Sequence, residues 1–201
     1  MRSLLKSLLG VSAVIDNFNT KIGRLLSWLV LAAVVVSSAN AIVRKLFDMS
    51  SNAFLEMQWV MFGIVFLMCS PWTLLDNEHI RIDIVNQKLP YRVRNWIDII
   101  GHVFFLMPFS ALMIYYSINF FIASYRVNEQ SFSAGGLPQW PAKSLLMIGF
   151  ALLFIQGISE IIKRAAIMHN LIPDPHLGSS HHPVQVENEH MIHDVPPAHK
   201  N

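Results

Sequence analysis

Charge is scarce in this sequence. Of its 201 residues only 14% are Asp, Glu, Lys or Arg, while 53% are hydrophobic. Soluble domains carry about 25% charged residues, so most of this surface does not face water. The net charge of +2 is small and scattered, which excludes the basic footprint of a nucleic-acid-binding protein. Cysteine is nearly absent. Cys69 stands alone in an apolar stretch, which excludes an intramolecular disulfide framework and a cysteine-based zinc site and leaves it as a small core residue. No internal repeat is visible.

What is present is long apolar runs. A membrane-spanning helix needs about 20 mostly apolar residues, and four segments qualify: Leu25–Val43, Glu56–Leu75, Trp96–Ala123 and Leu145–Ile162. Pro71 and Pro108 fall within the second and third and predict a local kink at each. Ionisable residues are missing from the middle of these runs. There are none from Leu25 to Val43, between Glu56 and Asp76, or from Leu145 until Glu160. The third run has Asp98 and His102 near its start, then only the phenols Tyr115, Tyr116 and Tyr125 before Arg126. Proteins that move ions or protons carry ionisable groups at mid-membrane, so no pathway for a charged solute is evident. The chain reads as a scaffold whose partner does the transport. Ser37, Ser38, Asn40, Asn119 and Gln156 suit helix–helix hydrogen bonds of about 0.6–2 kcal/mol each.

Basic residues orient the spans. Arg2, Lys6, Lys21 and Arg24 precede the first, Arg81, Lys88, Arg92 and Arg94 lie between the second and third, and Lys163, Arg164 and Lys200 follow the fourth. The opposite side holds only Arg44, Lys45, Arg126 and Lys143. The positive-inside rule places both termini and the middle loop in the cytoplasm. A cleavable signal peptide ending at Ala39-Asn40-Ala41 is the competing reading of the first span. Against it stand the long basic region and the full spanning length of the run.

The expected architecture is an all-α membrane protein. Residues 1–24 form a cytoplasmic amphipathic segment, 25–165 a four-helix transmembrane domain, and 166–201 a disordered His/Pro-rich tail. Residues 3–22 set Leu4, Leu5, Leu8, Leu9, Val11, Ile15, Phe18 and Ile22 near helical spacing, as in a helix lying at the interface. The tail holds five of the ten prolines, and six histidines from His176 to His199, with no hydrophobic period. Trp28, Trp59, Trp72, Trp96 and Trp140 lie near span ends, where aromatic belts form. Arg94, Asp98 and His102 share a helix face, and Glu160 is spaced to pair with Lys163 or Arg164. His102 is the only histidine within a span. It carries the alternative function, a redox-complex anchor binding haem b, which needs a second, usually paired, axial ligand.

Three blocks between Asn52 and Ile162 give the chain a resemblance. The first is Phe54-Leu55-Glu56-Met57-Gln58-Trp59. The second is Asn77-Glu78-His79-Ile80-Arg81-Ile82-Asp83, followed by Leu89-Pro90 and Trp96-Ile97-Asp98. The third is Glu129 and Ser131, then Leu137-Pro138-Gln139-Trp140, leading to Ile148-Gly149-Phe150, Gln156 and Glu160. Their order and spacing resemble the small membrane subunit of tripartite ATP-independent periplasmic (TRAP) transporters. That resemblance implies a non-catalytic scaffold in the bacterial inner membrane, with no cofactor. The implied partners are a large membrane subunit that carries an organic acid using an ion gradient, a periplasmic solute-binding protein, and the lipid bilayer. It marks Glu56, Trp59, Arg81, Asp83, Asp98, Glu129, Ser131, Pro138, Trp140, Gln156 and Glu160 as candidate subunit or partner contacts. Glu129 and Trp140 are the expected docking residues.

Overall fold

The computed structural model describes residues 2–47, 51–76 and 90–172. Five α-helices follow one another among them: α1 (Arg2–Phe47), α2 (Asn52–Leu75), α3 (Tyr91–Gly101), α4 (Met107–Arg126) and α5 (Trp140–Met168). A π-helical segment, His102–Leu106, joins α3 to α4. Four continuous helical stretches are long and apolar enough to cross a membrane: Leu5–Phe47, Asn52–Leu75, Arg92–Arg126 and Trp140–Met168. They contain the four runs predicted from sequence, each extended at one or both ends. Arg81 and Asp83, and residues 173–201 of the tail, lie outside the described residues.

Local chemistry sets the boundaries. Pro90 takes an extended conformation (φ −60°, ψ 144°), and α3 starts at once after it. Its carbonyl accepts the amides of Val93 and Arg94. Both α4 and α5 end with an asparagine in the left-handed region, Asn128 (φ 46°) and Asn170 (φ 54°). Asparagine tolerates that conformation better than most residues. In each case the next amide turns back to close the helix, Glu129 onto Ser124 at 3.1 Å and Leu171 onto Ala166 at 3.0 Å, which satisfies carbonyls the helix end would otherwise orphan. The distortion expected at Pro108 lies one turn earlier, where the Met107 amide donates to the His102 carbonyl five residues back. The proline ring would clash with the carbonyl four residues before it, that of Phe104, and the wider π turn relieves the clash.

α5 is the hub. It contacts α1, α2, α3, the π segment and α4, while α1 and α2 also pack on each other. Of its most apolar stretch 33% is buried, against 6% for α1, 6% for α3–α4 and 0% for α2. The outer helices therefore turn large side chains outward, such as Trp59 and Phe66 on α2 and Phe104 and Phe105 in the π segment. The interior holds small and polar groups: Ser110, Ser117 and Ser124 repeat every seven residues along α4, and Gly149 of α5 lies against Leu67. This inside-out composition suits helices in lipid, where small residues let backbones approach and polar side chains bond across.

Residues 3–22 do not form a separate segment. α1 runs without a break from Arg2 to Phe47. Its protein-facing side is polar, with Ser12 and Asn19 buried, while Val11, Val14 and Phe18 are exposed. The reason is the polar face of α5 opposite, described next. α5 likewise continues to Met168, past Ile162 and into the span assigned to the tail.

Candidate functional site

The candidate contact residues among those described gather at two opposite ends of the bundle. At one end three helices meet through polar side chains. On α1, Ser12, Asp16 and Asn19 are spaced i, i+4, i+7. On α5, Gln156, Ser159, Glu160 and Lys163 are spaced i, i+3, i+4, i+7. Each set makes one helical stripe, and the two stripes face each other. Asn19 Nδ2 donates to Gln156 Oε1 at 2.7 Å, and Gln156 Nε2 donates to Asp16 Oδ1 at 2.9 Å and to Glu160 Oε1 at 3.1 Å. Ser159 donates to Asp16 at 2.8 Å, and the Ser12 and Ser159 hydroxyls are 2.7 Å apart. Lys163 bridges the two carboxylates, 3.0 Å from Asp16 Oδ2 and in contact with Glu160. One residue further, Arg164 turns to α3, where Nη1 donates to Asn95 Oδ1 at 3.3 Å and Nη2 lies 3.4 Å from Asp98 Oδ2. Polar groups out of water are costly unless bonded, and here each carboxylate has a cation beside it.

Of the residues predicted for contact, Gln156, Glu160 and Asp98 belong to this network, and Glu160 pairs with Lys163 as its spacing implied. Ser12, Asp16, Asn19, Asn95 and Ser159 were not anticipated. The signal was present: two polar stripes of the same helical period, one in the N-terminal segment and one in the last span. His102 does not join. Its Nδ1 lies 2.5 Å from the carbonyl oxygen of Asp98, on its own helix.

At the other end the connection between α4 and α5 is held as a short two-stranded turn. Gln130 and Pro138 face each other as an antiparallel bridge. The Ser131 amide donates to Leu137 O at 3.2 Å and the Gln139 amide to Glu129 O at 2.9 Å. Glu56, at the start of α2, clamps this turn from outside. One carboxylate oxygen accepts from the Ser131 hydroxyl, the other from the Leu137 amide at 2.7 Å. Asn52, one helical turn earlier, donates to Ala134 O at 3.0 Å. Gly135 sits at φ +71°. A Cβ on Gly136 would lie 2.5 Å from Ser131 Cβ and 2.7 Å from Glu56 Oε1, so the clamp needs glycine there. Lys143 on α5 pairs with Glu129 and rests 4.1 Å above the Phe120 ring. The hydrogen bond from Lys143 holds the Glu129 carboxyl below the usual carboxylate range. Trp140 packs edge-on against Tyr125, with centroids 5.5 Å apart.

Glu56, Glu129, Ser131 and Trp140 are therefore brought together, and they hold the turn's shape. Pro138 is exposed on it, and Trp59 faces away on the outer side of α2. Phe132 at the tip, not anticipated, is 100% exposed.

The family model for the DctQ component of tripartite ATP-independent periplasmic transporters matches residues 33–166. The chain belongs to this family. No curated protein and no solved structure matches it. The DctQ component is the small membrane subunit of a TRAP transporter, as the three sequence blocks implied, and the four apolar helices agree with a multi-pass membrane protein. Membership lends nothing to a haem-binding anchor. The match takes in the whole Glu56 clamp and the α5 stripe but starts after Ser12, Asp16 and Asn19, so this member's network is completed from outside the matched segment.

Proposed function

We propose that this TRAP small subunit is the fixed, non-catalytic half of a two-part membrane unit. It braces a larger membrane subunit that imports an organic acid with an ion gradient, and it offers a surface to a periplasmic solute-binding protein. Both termini and the Gln156 end lie in the cytoplasm, and the 127–139 turn lies in the periplasm of a bacterial inner membrane. The observation that carries this reading is the family match over residues 33–166. It is supported by the pairing of Lys163 with Asp16 and Glu160, and of Arg164 with Asp98, rather than along a passage. The Lys and Arg bias supports the orientation.

The docking role expected of Glu129 and Trp140 passes to the residues they hold in place. Their side chains are engaged within the turn, whereas Phe132 and Pro138 are exposed on it. An aromatic side chain on a shaped turn is the kind of anchor that dominates protein contacts.

Co-purification from native membranes tests the main reading. The chain is expected to bring down a much larger multi-span subunit; recovery as a lone homo-oligomer overturns it. A reporter fused after Lys200 is expected to read cytoplasmic, and periplasmic alkaline phosphatase activity there reverses the orientation.

A further inference from the structure

Ala33 of α1 is fully buried. Seven residues on, Asn40 lies on the same helical face. There the seam between α1 and α2 opens into a crevice of 330 Å³, lined by Val36, Ala39, Asn40 and Val43 of α1 and by Phe54 of α2 among others. The walls are almost wholly apolar. Asn40 is half-buried among them, and its carboxamide has no hydrogen-bond partner among the described residues. Several other polar side chains on the spanning helices bond a carbonyl one turn back on their own helix. The Thr73 hydroxyl donates to Cys69 O, that of Ser110 to Leu106 O, and the Asn119 amide to Tyr115 O. Asn40 places two donors and an acceptor in the lining of the crevice.

The chemistry of the groove selects its occupant. A lipid chain would fill the apolar walls but leave the amide unmet, at a cost that polar groups in hydrocarbon normally avoid. A helix bearing a polar side chain meets both demands, and the small Ala39 lets its backbone come close. The outer face of α4, where Leu112, Tyr115 and Tyr116 are exposed, is the alternative surface for such a helix. The crevice also lies wholly within the matched residues 33–166, as a surface for a partner common to the family must.

We infer that the α1–α2 crevice seats a transmembrane helix of the large membrane subunit, with Asn40 as its hydrogen-bonding anchor. This rests on the proposed function, which supplies the partner but not the face it uses.

The test is photo-cross-linking in native membranes holding the full transporter. A benzoylphenylalanine is placed singly at Ala39, at Val43, or at Leu112 on the outer face of α4. The expected result is an adduct with a much larger membrane protein from positions 39 and 43, and lipid adducts alone from 112. Adducts with lipid alone or with a second copy of this chain from 39 and 43 overturn the inference. So does a large-subunit adduct from 112 alone, which leaves the proposed function standing. Absence of any large-subunit adduct, together with failure to co-purify one, overturns both. Independently, N40L at unchanged membrane yield is expected to weaken retention of the large subunit about threefold to tenfold, with partial recovery in N40Q. Full retention in N40L overturns the anchor role.

Discussion

Asp16 and Glu56 both stand on outer helices and both accept hydrogen bonds from partners far along the chain, yet they serve opposite ends. Asp16 faces the side chains of another helix, and Lys163 and Gln156 close over it. Glu56 faces the backbone and a hydroxyl of a turn, and what it holds stays exposed. One carboxylate joins helices; the other shapes a surface. The Gln156 end should therefore respond to substitution with global stability, and the clamped turn with local order and partner binding.

The largest effect expected is at the Gln156 end. D16A strips Lys163, Gln156 and Ser159 of a shared acceptor and should destabilise the detergent-solubilised protein by about 2–3 kcal/mol, read by thermal or denaturant unfolding. The double variant D16L/K163M removes both charges and should cost less than D16A. A larger cost would mean that the two ends differ in degree and not in kind.

Next is G136V. The added side chain collides with Ser131 and Glu56 and should free the turn. Amide exchange at Ser131 and Leu137 should rise about tenfold or more, for a local cost of about 1–3 kcal/mol, with little change in global unfolding. E56Q keeps the shape but replaces a charged acceptor with a neutral one. Exchange at the Leu137 amide should rise about fivefold. If E56Q lowers global stability as much as D16A does, the contrast between the ends is wrong.

The smallest effect concerns pH. The Glu129 carboxyl titrates below its ordinary range because Lys143 bonds to it. Its contribution is therefore complete above the unfolded value of about 4.3 and is lost as pH falls through the lowered folded value. Turn exchange, corrected for intrinsic rates, should be flat from pH 7 to 5 and rise only in more acidic solution. E129Q should reduce that rise and leave the part that comes from protonation of Glu56, which accepts from the same turn.

How much of this was legible in the sequence differs between the ends in the same way. The spans showed because apolar runs are long and uninterrupted. The clamp was half legible: Glu56 from the first block and Ser131 and Leu137 from the third stood out, but nothing in their spacing said that residues 75 and 81 positions apart meet. The network is not legible there because Ser12, Asp16 and Asn19 fit the water-facing side of an interfacial helix equally well. Periodicity identifies a polar face but not what covers it. The matching stripe at Gln156, Ser159, Glu160 and Lys163 was the missing cue. The displaced kink had a similar cause, since the bulky groups around Pro108 do not say which turn will give way.

The pairing of Asp16 with Gln156 also has a history in time. The two residues are 140 positions apart, and α1 leaves the ribosome before α5. At about 5–20 residues per second, roughly 7–28 s pass before the partner stripe is made. During that wait Asp16 and Asn19 have only water to satisfy them, so the first half of α1 must stay outside the hydrocarbon. It is synthesised before α5 and reaches its place only with it, which makes arrival of α5 the event that completes assembly of the bundle.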